Sequence, residues 1–351
     1  MAHRVIQWST GHVGLHALRS IILHPDLELV GLVVHSDSKA GKDAGELAGL
    51  DAVSVSATTD VDAALALDAD VVCYTATADL RPAEATDDLC RILESGKNLV
   101  SSSMVSLIYP PAADEGTVRR LEAACAAGGV SFFTSGIDPG FANDLLPIVL
   151  TSISQRVDSV RVMEILNYET YDQAEVLFGT MGFGQPLDAT PLLLLPGVLT
   201  LAWGPVVEVI AAALGVELDE IREVHERVPA DGTFTISTGT IEAGTTAGLR
   251  FEIQGIVGGR PAIVVEHVTR LHDDVAPDWP HGKGYRIIVE GEPKVTCELL
   301  MEGSDGDENT GGLLATAMRL VNAIPAVVDA APGLLSTLDI PLTPARGLVA
   351  P

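Results

Sequence analysis

Arg4-Val-Ile-Gln-Trp-Ser-Thr-Gly-His-Val-Gly14 decides the fold of this chain. Val5, Ile6 and Trp8 read as a buried strand, Gly11 and Gly14 as the turn that ends it, and Leu15, Ala17, Leu18, Ile21 and Ile22 recur at helical spacing behind them. This is the first βα unit of a dinucleotide-binding fold. In the pattern G-x-G-x-x-G the second glycine lets the backbone approach a pyrophosphate and the third lets the helix pack on its strand, and Gly11 and Gly14 take those two places. Ser9 replaces the first glycine. With Ser9 keeping the turn, the N–H groups from Thr10 through Gly11, His12 and Val13, at a helix N-terminus, suit an anion. A glycine turn in any α/β protein is the competing reading, which the rest of the chain narrows.

Leu27 to Val34 reads as a second strand, apolar toward its end as in a parallel sheet covered on both faces. An NAD enzyme usually places an Asp or Glu about 20 residues beyond the glycine turn to bind the ribose 2′-hydroxyl. Here that place holds His35-Ser36, followed by Asp37, Ser38 and Lys39. Hydroxyls and cations suit a 2′-phosphate, so NADP(H) is the preferred cofactor, while Asp37 keeps NAD(H) open. Further strands are read at 53–56, 69–75, 98–103 and 130–134, with helices at 61–67, 83–95 and 115–127 between them. Thr75, Ala76 and Thr77 end the fourth strand, and Ser102 lies at the end of the fifth. Both ends belong beside the nicotinamide ribose, because ligands sit outside the carboxyl ends of such strands.

The 351 residues suffice for two domains, and 47% hydrophobic content excludes global disorder. A net charge of −27 argues against nucleic acid or anionic membrane as an unaided partner. The four cysteines are widely spaced and read as reduced core residues, and no metal site is indicated. The first strand begins by residue 4 and leaves no room for a signal peptide, so a cytoplasmic protein is the simplest reading. The apolar run from Pro191 to Val216 is broken by Pro196, Gly197, Gly204, Pro205 and Glu208 and reads as short buried helices at a cleft or subunit interface rather than a membrane span.

Beyond Asp138-Pro-Gly-Phe141 the pattern changes. Runs at 157–168, 233–242, 249–257, 262–271, 285–289 and 295–301 alternate apolar and polar residues between turns and predict an antiparallel or mixed sheet in an α+β region. Thr310 is read as the cap of a last long helix through Leu313, Leu314, Ala317, Leu320 and Val321.

With these residues placed, the chain resembles the dihydrodipicolinate-reductase-like superfamily and, within it, the 2,4-diaminopentanoate dehydrogenases and native amine dehydrogenases. The resemblance rests on the Trp8 to Gly14 turn, Gly41-Lys-Asp-Ala-Gly-Glu-Leu47, Gly96-Lys-Asn-Leu-Val-Ser101 with Tyr109-Pro110, Gly136-Ile-Asp-Pro-Gly-Phe141 with Leu146-Pro147, Met181-Gly-Phe-Gly184 and Val321-Asn-Ala-Ile-Pro325. It implies a Rossmann domain with a parallel doubly wound sheet at 1–140, an α+β substrate and dimerisation domain at 141–309, and a C-terminal helix at 310–351 returning to the first domain. It also implies a homodimer and an NAD(P)H-dependent oxidoreductase that moves a hydride to or from a carbon bearing nitrogen. In that group a glutamate in the loop after the fifth strand binds the ammonia or amine and moves its proton. Here the loop reads Ser101-Ser-Ser-Met-Val-Ser-Leu-Ile108, and hydroxyls and a thioether are poor general bases. Weak amination with free ammonia follows, with reduction of a preformed C=N or C=O group of a small, mostly apolar substrate as the expected reaction. The competing class is a non-catalytic NADP-binding sensor or scaffold.

A proton donor must then come from elsewhere. Glu169, Tyr168, Tyr171 and His281 are the candidates, against bland readings as a strand-end acid, two pocket walls and a loop histidine. Met104, Phe141, Tyr168 and Tyr171 are read as the substrate pocket. Asn322 is read as binding the nicotinamide carboxamide, or as a polar residue ending the helix.

Overall fold

The computed structural model describes residues 2–78 and 81–349. The chain divides into two compact units, Met1–Phe141 with Leu313–Pro351, and Ala142–Gly312.

The first unit follows from its opening strand. β1 (His3–Trp8) is paired on both edges and packed on both faces, Ile6 and Trp8 in one core layer and Val5 in the other, and these three have no exposed surface. α1 (His12–Leu23), β2 (Leu27–Val33), α2 (Ala44–Leu47), β3 (Ala57–Thr58), α3 (Val61–Leu65), β4 (Val71–Tyr74), α4 (Pro82–Glu94), β5 (Asn98–Ser101), α5 (Glu115–Gly128) and β6 (Ser131–Thr134) complete its N-terminal part. The seven-stranded sheet runs β15-β6-β5-β4-β1-β2-β3, its last member being β15 (Gly333–Leu335), and every pairing is parallel. Leu89, Ile92, Leu121 and Phe132 pack in one core layer, while Ala17, Ile21, Val71 and Phe133 share the other with Leu320, Ile324 and Val327 of α8 (Glu308–Val328). The strand order reverses between β4 and β1, which is the switch point where such sheets bind ligands.

The second unit holds α6 (Leu145–Thr151), β7 (Arg156–Asn167), α7 (Val198–Leu214), β8 (Glu220–Pro229), β9 (Phe234–Ile236), β10 (Gly239–Ile241), β11 (Thr246–Val257), β12 (Arg260–Arg270), β13 (Gly284–Glu292), β14 (Val295–Leu299) and the first residues of α8. Its six-stranded sheet runs β14-β13-β7-β12-β11-β8. It is mixed, with β7 and β12 parallel and the other pairs antiparallel.

Several local readings are corrected. Residues 53–56 are not the third strand, because Asp43 accepts the N–H groups of Val53 and Ser54 at 3.0 and 2.8 Å and holds them as a loop, with Ser54 at φ 62°. The pairing falls on Ala57–Thr58 instead. The run 233–242 is a hairpin of β9 and β10. Thr310 does not cap α8: its N–H is donated to the Asp307 carboxylate at 2.8 Å, and the helix starts at Glu308. The run from Pro191 forms one helical turn at Leu192–Leu194 and then the 17-residue α7, which keeps Pro205 inside it and leaves Leu201 exposed. Cys73, Cys90 and Cys125 are buried free thiols, and burial pushes Cys73 and Cys125 up to about 12.

Candidate functional site

The glycine turn lies at the switch point of the first unit. Ser9, in the place of the missing glycine, adopts φ 81°, a backbone state that costs a non-glycine residue energy and marks a turn held by its surroundings. Those surroundings include Gln7, whose amide donates to the Ser9 carbonyl and to Thr75 Oγ1, both at 2.9 Å, while Thr75 Oγ1 donates to the Trp8 carbonyl at 3.0 Å. Buried Gln7 was not singled out from the sequence, where a polar residue between Ile6 and Trp8 was its one signal.

Gly14 leaves no room for a side chain: a Cβ there would lie 2.6 Å from the Ser9 carbonyl oxygen and 2.7 Å from Thr75 Oγ1. Gly11 is different. A Cβ there would meet nothing within 4 Å among the described residues, so packing within the protein does not require a glycine. The open space borders the N-terminus of α1, where His12 and Val13 begin the helix and its dipole favours an anion. Lys39 reaches back to this turn, donating from Nζ to the Thr10 carbonyl and to Thr10 Oγ1 at 3.1 and 2.9 Å. His35, Ser36 and Ser38 are exposed before it, with the two serine hydroxyls 2.7 Å apart.

Thr75, Ala76 and Thr77 leave the end of β4, and Ser102 leaves β5 with its N–H 3.4 Å from the Tyr74 carbonyl. The Ser103 hydroxyl donates to the Ala76 carbonyl, closing the loop on the strand. Met104 takes a left-handed conformation at φ 56°, its sulfur 3.7 Å from Thr86 Oγ1, and packs against the core of the first unit. Phe141 ends a turn, donating its N–H to the Gly136 carbonyl at 2.9 Å, four residues before α6 starts at Leu145. Asn322 lies inside α8 rather than at its end, and its Oδ1 is buried with no hydrogen-bond partner among the described residues. The open space at Gly11 and this orphaned acceptor fit a nicotinamide dinucleotide, which would bring a diphosphate to the first and a carboxamide N–H to the second.

In the second unit a buried ionisable cluster appears that the sequence reading passed over. The register of β7 places Glu164 directly between His267 of β12 and Tyr285 of β13 on one sheet face, and Phe251 of β11 lies opposite His267. Glu164 Oε2 is 3.0 Å from His267 Nδ1, and Oε1 accepts the Tyr285 hydroxyl at 2.8 Å. Tyr168 donates to Oε2 at 3.5 Å. Phe251 stacks on the imidazole with ring centres 4.6 Å apart, and Trp203 of α7 meets it edge-on at 4.6 Å. Burial pushes the Glu164 carboxyl up, but the charge and hydrogen bond of His267 and the hydroxyls of Tyr285 and Tyr168 outweigh it and hold the group below its ordinary range. The carboxylate therefore stays ionised inside an apolar unit.

Of the candidates read from sequence, Tyr168 and Tyr171 stack at 4.5 Å beside this cluster. Burial, then the Glu164 charge, pushes the Tyr171 phenol up to about 12, and Gln173 donates to its oxygen at 2.7 Å. Glu169 is engaged through its backbone, with its N–H on Asn167 Oδ1 and its carbonyl accepting from Ser237 N–H, both at 2.9 Å. His281 sits in an exposed loop with its Nε2 against the Pro277 carbonyl. Arg270 fastens that loop by donating to the carbonyls of Val275, Ala276 and Pro280.

Comparison with known proteins adds to this geometry. Residues 141–348 match the family model of the 2,4-diaminopentanoate dehydrogenase C-terminal domain. The chain is 44% identical to an amine dehydrogenase of Streptomyces virginiae, covering 97% of each. It is 26% identical to a 2,4-diaminopentanoate dehydrogenase of Acetoanaerobium sticklandii, over 83% of this chain and 78% of that one. Among solved structures, the amine dehydrogenase from Mycobacterium smegmatis shares the fold with a TM-score of 0.78 at 19% identity, covering 98% of this chain and 97% of that one.

Proposed function

The chain belongs to the 2,4-diaminopentanoate dehydrogenase family, and from that premise we propose that it is an NADP(H)-preferring amine dehydrogenase acting on a small, mostly apolar substrate. The observation that carries this reading is the anion cradle at Gly11 with Lys39 fixed beside it, in a chain that aligns over nearly its whole length with an amine dehydrogenase. The cofactor, when bound, supplies or accepts the hydride. The N–H groups from Thr10 to Val13, beside the Ser9 turn, take its diphosphate, and Lys39 with His35, Ser36 and Ser38 takes the 2′-phosphate. Thr75, Ala76, Thr77 and Ser102 line the ribose side, and Asn322 Oδ1 accepts the carboxamide N–H. Tyr168 and Tyr171 present an apolar wall with phenol donors.

Titration by nicotinamide fluorescence tests the cofactor assignment. NADPH is expected to bind more tightly than NADH, and Lys39→Ala should weaken NADPH about tenfold, ~1.4 kcal/mol, while leaving NADH within about twofold. Binding of neither reduced cofactor rejects the enzyme reading, and tighter NADH binding rejects the phosphate assignment. For turnover, the 44% identity to an amine dehydrogenase replaces the weak amination expected from the acid-free loop: NADPH oxidation with a ketone should rise strongly on adding ammonium, and NADP+ should be reduced by the matching amine.

We also read the second unit as the contact between two copies. Leu192, Leu195 and Leu201 remain exposed near or on α7, and apolar side chains clustered this way are costly to leave in water. Light scattering at micromolar concentration should give twice the chain mass, and a monomer mass rejects this reading.

A further inference from the structure

We propose that the cavity between the end of β8, the turn into β9 and the loop after β12 is a binding site for a small quaternary ammonium cation that carries a neutral oxygen. The site lies wholly within the second unit. It does not rest on the amine dehydrogenase reading, because a nitrogen with four carbon substituents has no lone pair with which to form a C=N bond. The cavity holds about 530 Å³, the size of a small-molecule site. Phe234, His272 and Trp279 are among its walls, and Asp231, Asp274 and Asp278 stand exposed around it. Phe234 and His272 meet with ring centres 5.7 Å apart at 51°, which gives two aromatic faces set at an angle.

Trp279 points to a ligand. A Cβ on Gly248 of β11 would stand 3.2 Å from Trp279 Cζ3, so the absence of a side chain there seats the six-membered end of the indole on the sheet. Trp279 is 8% exposed, and its N–H, at the other end of the ring system, has no hydrogen-bond partner among the described residues. A buried indole N–H ordinarily finds an acceptor. The charge of that ligand follows from the surroundings, where three carboxylates face one guanidinium. Arg270 lies 5.8 Å from the indole centre and donates to the carbonyls of Val275, Ala276 and Pro280, contacts that also fix the loop before a ligand arrives. Among the described residues no three acidic or histidine groups of this cavity converge within 4.8 Å of one another, as the ligands of a metal ion would. The Asp274 side chain is 93% exposed. The acids therefore act as a field across the cavity and not as a shell of acceptors. A primary ammonium would lose water there without acceptors for its three N–H groups, whereas a methylated one has none to satisfy and is attracted by aromatic faces. A hydroxyl on the same cation accepts the Trp279 N–H.

Calorimetric titration of the full-length protein with choline tests the assignment, beside three analogues. Tetramethylammonium lacks the oxygen, ethanolamine lacks the methyl groups, and 3,3-dimethyl-1-butanol has carbon in place of the charged nitrogen. Choline is expected to bind with a Kd of about 1 mM or tighter, ethanolamine about fivefold more weakly and the neutral alcohol about tenfold more weakly or less tightly still. Phe234→Leu keeps apolar volume but removes a ring face, and should weaken choline and tetramethylammonium alike by about fivefold. Trp279→Phe keeps an aromatic ring without the N–H, and should weaken choline about fivefold while leaving tetramethylammonium within about twofold. The double variant Asp274→Asn, Asp278→Asn should weaken both cations, whereas Glu217→Gln, an exposed acid that does not line the cavity, should weaken neither. Absence of choline binding at about 10 mM overturns the proposal, as does equal binding of ethanolamine or of the neutral alcohol. Unchanged choline affinity in Phe234→Leu and Trp279→Phe overturns it as well, since binding then lies elsewhere. Where Trp279→Phe does not fold, Phe234→Leu on the two-stranded hairpin decides alone. None of these measurements needs turnover, so this site stands or fails separately from the amine dehydrogenase reading.

Discussion

Glu266→Ala is expected to destabilise the second unit by about 3 kcal/mol and to lower its Tm by roughly 10 °C. Glu266 immediately precedes His267 on β12 and points to the opposite sheet face, since successive strand residues alternate. Its side chain is completely buried, with Oε1 accepting from Arg250 Nε at 2.8 Å and Oε2 paired with Arg161. Removing it leaves two guanidinium groups with one fewer anion between them. Glu252 remains 2.9 Å from Arg161 and 3.6 Å from Arg250, and the arginine side chains are 33% and 28% exposed, so the expected loss lies at the low end for a broken buried pair. Glu266→Gln keeps an acceptor and should cost about half as much. Thermal unfolding followed by circular dichroism checks both values, and a Tm within 2 °C of wild type for Glu266→Ala would sink the argument. Amination at 25 °C should survive Glu266→Ala.

Glu164, set against the β1 turn, shows what the sequence could and could not convey. The β1 turn and α1 were legible because their signal is local: an apolar run, two glycines and a helical period within a few residues. The mixed sheet was legible from alternation along β7, β11 and β12. Glu164 left a trace in the same alternation, since Val160 and Val162 precede it on the buried face. Its meaning depends on His267 and Tyr285, more than 100 positions away, and only strand register brings them together. Glu169, at a strand end, and His281, an imidazole suited to general acid work, looked more chemical, yet the fold engages one by its backbone and ties the other to Pro277. Edge elements failed for another reason. β8 carries Glu220, Arg222, Glu223, Glu226 and Arg227 and shows no clean apolar alternation, and the three-residue β15 is too short to show a period.

Gly14→Ala and Gly11→Ala are expected to separate what the turn does for the fold from what it does for the cofactor. In Gly14→Ala the new Cβ meets a backbone carbonyl at 2.6 Å, an atom that cannot turn aside as a flexible side chain would. Either α1 moves off β1 or the Ser9 carbonyl moves, and Ser9 is already held at φ 81° by Gln7 and by its N–H bond to the Val33 carbonyl. Both routes disturb the donors at the head of the helix, so NADPH binding should weaken by 100-fold or more, about 2.7 kcal/mol, and Tm should fall by several degrees. Gly11→Ala has no such collision within the protein. Its Tm should stay within about 2 °C of wild type, because the added methyl projects into open space. Its NADPH affinity should nevertheless fall at least tenfold, since that space is where the diphosphate approaches the backbone. Fluorescence titration and thermal unfolding of the two variants side by side give the answer. Unchanged NADPH binding by Gly11→Ala would remove the diphosphate from this turn, and a wild-type Tm for Gly14→Ala would show that the helix can shift without cost.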